Sequence, residues 1–373
     1  MLLLPRGTAA WYATAGEVVV ALSRLGDADS LEALGALGEE LAGLMPDPRS
    51  ASIHAIGCAR IAARLIAAGQ KALTEKLLYV IEPIIAIAGD GDPLVRAWWH
   101  RARASYVAFL GDAGAHVEQL HLSLEAFEKI GDLRRACAQR MNLGHGQLLV
   151  GAHAEAEATL REALVAAQRM GLLSLAAVAR HNLGLVRAYQ GALDEARALE
   201  AEAMKDFVAQ GDRRQETISQ VYLATIRLFE GDIDGAEQAA RSAIRSASAP
   251  TARCFALAAL ARAHLARIGG APMGQRAAAE TDIREALIAA HDAKRLLDQT
   301  GGIEEGEALV RLVYAEALAH AGDRDAARSA IKEARDRLHV RASWLHDPAL
   351  RESFLIRVPE NARTLELATA WLG

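Results

Sequence analysis

The chain has 373 residues, 52% of them apolar but only 5% aromatic, and its 42 basic against 47 acidic residues leave a net charge of −5. That balance lacks the basic footprint of a duplex nucleic-acid binder, and no apolar run is long enough to span a membrane. Met1 to Leu4 is too short a start for a signal peptide, and the odd set Cys58, Cys137 and Cys254 on apolar stretches argues for buried thiols, so a cytoplasmic location is expected.

In chain order, the first signals are turn glycines at Gly26 and Gly69, which set two helix pairs at a spacing of 42 to 43 residues. Pro83, inside the apolar run from Leu77 to Ala88, predicts a kink or a helix end. The stretch Gly89 to Pro93 lacks the spaced acidic ligands and closing Glu of a calcium loop. Asp92 before Pro93 reads instead as an N-cap with proline at the first helical position.

From Gly111 one pattern returns every 40 residues, at Gly111, Gly151, Gly191 and Gly231, with Gly131, Gly171 and Gly211 halfway between. A period of this size means that each unit buries its apolar face only against its neighbours. Superposing the units aligns Asn142 with Asn182 and Tyr222, and Gly144 and Gly184 with Ala224. Ala156 and Ala196 fall on Ala236, and Ala163 and Ala203 on Ala243. Such small-residue columns mark close helix approaches. Each unit therefore reads as helix A, a glycine turn, helix B and a second turn, with Gly-Asp dipeptides supplying a left-handed stop and the next N-cap.

The seventh unit is interrupted by Gly269, Gly270, Pro272 and Gly274, and its helix B is expected to restart near Asp282, which forms a capping-box pattern with Glu285. Gly322 is the turn of the eighth unit. Asp347-Pro348 and Pro359 open two short helices, ending in Trp371 and Leu372, that cap the last open face. Proline is absent from Leu94 to Ala249 and from Met273 to His346, and no strand-like alternation occurs. The expectation is an all-α, elongated solenoid of about eight antiparallel helix pairs over residues 1–345, with a C-terminal helical cap over 346–373. Within it, units 1–93 are less regular, 94–250 regular, 251–300 interrupted, and 301–345 the last.

Motifs for chemistry are missing: there is no GxxxxGK[ST], HExxH, GxSxG or CxxC. His116 and His121 are five apart, off the helical spacing of a shared face. No enzyme activity, cofactor or metal is expected.

The sequence NLGxxxxxxGAxxxAxxxxxxA, starting at Asn142 and again at Asn182, resembles the tetratricopeptide repeat, in the long-repeat form of kinesin light chains and large bacterial signalling regulators. The resemblance covers roughly residues 95 to 335. It implies a right-handed superhelix whose helices A line a concave groove for a peptide or partner domain. The start, PRGTAAWYATAGEVVVALSRLGD, and the segment DPALRESFLIRVPENARTLELA further resemble the C-terminal repeat regions of bacterial multidomain serine/threonine kinases and kinase–ATPase fusions. A kinase or ATPase module in cis or trans is the partner that this implies; kinase activity is not.

The resemblance places Met141, Asn142, His145, His181, Asn182, Tyr222 and Thr225 toward the groove. Asparagine suits this role because its amide both donates to and accepts from a peptide backbone; stabilising a neighbouring helix is the alternative. A second column joins His100, Arg140 and Arg180, with Arg101 alongside. Facing the groove, it would favour an acidic or phosphorylated segment; the alternative is a rim of solvated ion pairs. Trp98 and Trp99 beside Arg101 and Arg103 read either as a binding hot spot or as a core plug and a seam shield. The leading expectation is a non-catalytic protein- or peptide-binding scaffold with a long open groove, serving bacterial signalling; the alternative is a receptor for a short peptide or small effector with a closed pocket, and a second alternative is an enzyme whose residues come together across repeats.

Overall fold

The computed structural model describes residues 4–25, 27–44, 49–88, 92–270 and 276–373. Among them there are eighteen α-helices and no strand. The first pairs are α1 (Ala9–Leu25) with α2 (Ala28–Gly43), α3 (Ala51–Ala67) with α4 (Lys71–Ala88), and α5 (Pro93–Leu110) with α6 (Ala113–Lys129). Then come α7 (Leu133–Leu149) with α8 (His153–Arg169), α9 (Leu173–Tyr189) with α10 (Leu193–Gln210), and α11 (Arg213–Glu230) with α12 (Ile233–Ser246). The pairs α13 (Pro250–Gly270) with α14 (Arg276–Thr300) and α15 (Glu307–His320) with α16 (Arg324–Ser343) complete the repeats, followed by α17 (Pro348–Ile356) and α18 (Pro359–Leu372).

The turn chemistry works locally, as the dipeptides suggest. Asp112, Asp132, Asp212, Asp232 and Asp323 each cap the next helix by accepting a backbone N–H three residues on. Gly111 stops α5 at φ +86°, a left-handed conformation open to glycine and costly for other residues. Asp92 caps α5 and Pro93 opens it. The turn expected at Gly26, the stretch 89–91 and the interruption at Pro272 and Gly274 lie outside the described residues. Cys58, Cys137 and Cys254 are all buried as free thiols.

One local expectation is narrowed, from a kink or a helix end to a continuous helix, and another is corrected. Helix α4 runs through Pro83 without ending, and the carbonyl of Tyr79 that loses its N–H partner belongs to a residue that is 75% exposed, where water can replace it. Asp282 does not start a helix. It lies within α14, buried, and accepts from His264 Nδ1 at 2.7 Å and Arg267 Nη1 at 3.1 Å, so its carboxylate ties α14 to α13.

The small-residue columns are the seams between helices A and B. A Cβ on Gly144 would lie 2.6 Å from Leu160 Cγ, and one on Gly184 3.2 Å from the Ala196 carbonyl and 3.3 Å from Glu200 Oε2. Ala156, Ala163, Ala196, Ala203, Ala236 and Ala243 are fully buried. Gly184→Leu is expected to cost about 1–3 kcal/mol through overpacking. Hydrogen exchange should show the loosening concentrated in α9 and α10; uniform protection would contradict a seam built from neighbours.

The solenoid is not elongated: it curls until its later units touch its earlier ones. Thr251 Oγ1 of α13 donates to the Ala67 carbonyl at 2.8 Å. Arg337 Nη2 and Arg341 Nε of α16 donate to the carbonyls of Leu110 and Gly111 at 2.6 and 3.0 Å. Ser353 Oγ of α17 donates to the Gly151 carbonyl at 2.8 Å. All are carbonyls at the ends of α3, α5 and α7, where a helix leaves acceptors unpaired and favours cations. Glu307, only 4% exposed, holds the clasp in place: it accepts from Arg337 Nε at 2.8 Å and from Arg311 Nε at 2.9 Å. The last helix, α18, covers α15 and α16, packing Leu367 and Ala368 on Leu312, Ala315 and Ile331.

Candidate functional site

Curling leaves a lumen, with a cavity of about 370 Å³ lined mainly by helices α3, α5, α7, α9, α11 and α13 and by residues 303–305. Of the residues singled out from sequence, Arg101, Met141, Asn142, His145, His181, Asn182 and Tyr222 line it. Repeat register brings these side chains from α5, α7, α9 and α11 to one concave surface.

Arg140, Arg180 and Thr225 do not line the cavity. Arg140 pairs with Glu128 at 2.5 Å, and Arg180 pairs with Asp206 at 2.7 Å and Glu202 at 3.3 Å, all on flanking B helices. Each arginine precedes its asparagine by two residues, roughly 200° around the helix, so the arginine column turns to the B layer when the asparagines face inward. Thr225 is buried and bonds back to the Val221 carbonyl. Trp98 packs edge-on against Phe127 at 5.6 Å and meets the guanidiniums of Arg60 and Arg135, while Trp99 meets Arg103.

Two buried polar networks meet at Tyr222. Its hydroxyl donates to Glu305 at 2.9 Å, and His145 Nε2 is 3.3 Å from the same carboxylate. Burial, reinforced by Glu305, pushes the Tyr222 phenol well above its ordinary value, so it remains a donor. The ring of His181 stacks on Tyr222 at 4.1 Å, and its Nδ1 donates to Glu200 at 2.9 Å. Glu200, 1% exposed, also accepts from Ser219. Nearby, burial drives His116 down to about 4, which keeps it neutral as it donates to the Ala104 carbonyl.

Other lumen groups are committed only in part or not at all. Asn142 donates only to Gln139 one turn back, at 3.3 Å, whereas Asn182, 5% exposed, makes no side-chain hydrogen bond among the described residues. The Arg64 guanidinium makes neither hydrogen bond nor ion pair among them, and that of Arg101 donates only to Ser105. Arg214 pairs with Glu304 at 3.2 Å.

Sequence reasoning missed Arg64, Arg214, Glu304 and Glu305. Arg64 lies in a unit whose spacing falls outside the regular register. The acidic pair had a readable signal: residues 301–306 form a longer, glycine-rich connection where residues 130–132 or 170–172 suffice elsewhere.

No protein-family model and no curated protein matches the chain. Among solved structures, its fold is similar to a Rap protein complexed with competence and sporulation factor, at 13% identity and TM-score 0.62, covering 98% of this chain and 100% of that one. It is also similar to the Rap conjugation gene regulator of plasmid pLS20 in complex with a Phr peptide, at 12% identity and TM-score 0.50, covering 96% and 98%. The human IFIT1 dimer with m7Gppp-AAAA matches at 14% identity and TM-score 0.51, covering 98% and 78%. At these identities the likeness is one of fold: the chain is a tetratricopeptide-type helical-repeat solenoid. Among the described residues, no helix is long and apolar enough to cross a membrane.

Proposed function

We propose that the chain is a non-catalytic receptor for a short peptide held in the lumen, acting as the sensor or regulatory unit of a signalling system. The observation that carries this reading is a curled cavity presenting an amide without a hydrogen-bond partner at Asn182 and guanidiniums without an ion-pair partner at Arg64 and Arg101, among the described residues. Polar groups without internal partners in a concave site are recognition groups, because leaving them unpaired in the folded state has a cost that a ligand removes. A volume of about 370 Å³ suits a few residues of extended chain better than a folded domain. The curled shape thus favours a receptor over a scaffold with a long open groove. A peptide bound to one protein of similar fold, the Rap conjugation gene regulator, agrees with this choice. Output to a kinase or ATPase module, in cis or trans, is part of the same proposal.

A randomised pentapeptide library screened by thermal shift tests it. Binding peptides should raise the melting temperature of the native chain, and Asn182→Ala should weaken them about tenfold, the worth of one buried amide interaction. A library that stabilises nothing would remove the receptor reading.

A further inference from the structure

The lumen already contains a peptide segment, contributed by the chain itself. Residues 301–306, between α14 and α15, enter the cavity with Ile303 buried at 3% exposure, Glu304 on Arg214 and Glu305 on Tyr222 and His145. The segment is held closely at its end: Gly306 has φ +90°, and a Cβ there would lie 2.4 Å from Phe255 Cδ2. Of these two consecutive carboxylates, Glu305 bonds side chains that the repeat register places toward the groove.

Around Glu304 the charges do not balance. Arg64, Arg101, Arg214 and Glu304 line the same cavity, and the three guanidiniums disfavour one another's charge. Burial, with the neighbouring Arg101 and Arg214, pushes Arg64 down to about 10 despite Asp212 and Glu304. Asp212 is committed as the N-cap of α11, accepting from the Gln215 N–H at 3.2 Å. Glu304 is the carboxylate that bears on all three guanidiniums, and among the described residues its ion pair reaches only Arg214.

We propose that Arg64, Arg101 and Arg214 form an oxyanion subsite for an acidic side chain or phosphoryl group of the lumen's peptide ligand, and that the ligand competes there with Glu304. The proposal rests on the receptor reading above. Guanidiniums suit this task because their paired N–H groups match the oxygens of a carboxylate or phosphoryl group, and the low-dielectric wall strengthens each contact. Residues 301–306 then act as an internal stand-in for the ligand, neutralising part of the site until something of greater negative charge arrives.

Calorimetric titration of the full chain with acetyl-Ile-Glu-Glu-amide, its Gln-Gln counterpart and a phosphoserine counterpart tests the subsite. The acidic peptides should bind about tenfold more tightly than the Gln-Gln peptide, the effect of one charge-assisted contact. Glu304→Gln should tighten the acidic peptides by about a further tenfold without helping the neutral one. Arg64→Gln with Arg101→Gln should abolish the preference; if that pair fails to fold, Arg101→Lys, which keeps the charge but loses the fork, should reduce it. Tighter binding of the phosphoserine peptide assigns the oxyanion to a phosphoryl group, and tighter binding of the glutamate peptide to a carboxylate. Equal affinity for acidic and neutral peptides in Glu304→Gln, or no binding of the acidic peptides to it, would overturn the subsite. The receptor reading itself falls only if the randomised library is also blank.

Discussion

Replacing Glu307 by alanine is expected to lower the stability of the folded chain by about 3–5 kcal/mol, the usual cost of leaving buried charges without their partner. Arg311 and Arg337 lose their acceptor, and Arg341, at 4.0 Å, loses the nearby charge that offsets its burial. Because Arg337 and Arg341 also hold the carbonyls of Leu110 and Gly111, the loss spreads to the contact between α16 and α5. Urea unfolding gives the magnitude, and hydrogen exchange should show increased opening at the end of α5 as well as in α15 and α16. The same carboxylate sets an acid limit. Burial alone would raise its pKa, but Arg337, Arg341 and Arg311 together hold it below the ordinary value of 4.5. A depressed folded-state value means that the stabilisation is complete above the unfolded-state value and lost as the pH falls through the folded one. Glu307→Ala should therefore differ most from the native chain near neutrality and converge with it in acid.

Glu200→Ala is expected to cost about 3 kcal/mol, because His181 and Ser219, both buried, would lose their shared acceptor. Glu200→Gln keeps one acceptor oxygen and should cost roughly 1–2 kcal/mol. The alanine variant should also weaken lumen ligands, since His181 is held by Glu200 and stacks on Tyr222. Chemical denaturation gives the first comparison and peptide titration the second. A ligand affinity that survives Glu200→Ala would show that the His181–Tyr222 stack plays no part in binding.

What could be read from the residues follows from the range of the interactions. Caps such as Asp132 and Asp232 were legible because an N-cap bonds three residues away in the same chain. The Gly144 and Gly184 seams were legible because helices A and B of one unit are sequence neighbours. Asp282 was misleading because a capping-box pattern is written in the same letters as a mid-helix carboxylate whose partner, His264, sits on the preceding helix. The curl was not legible at all. Gly111 and Gly191 occupy equivalent positions in the period, yet Gly111 lies against Arg337 and Arg341 while a Cβ on Gly191 would meet nothing among the described residues. A repeat fixes the contact from one unit to the next, but small rotations accumulate over many units before they decide whether Ala67 meets Thr251. Arg64 escaped notice for the same reason, since the lumen exists only after that accumulation, whereas Glu304 lies in a connection whose extra length was readable.

The clasp also orders events during synthesis. Individual helix pairs need only local contacts and can form as the chain emerges, whereas the bonds from Arg341 to Gly111 and from Ser353 to Gly151 span 230 and 202 residues. A ribosome must therefore finish α16 and α17 before the clasp that fastens the curled chain is complete. Until then the later units are not fastened to the ends of α5 and α7, and a nascent chain lacks the clasp that holds its pocket in shape.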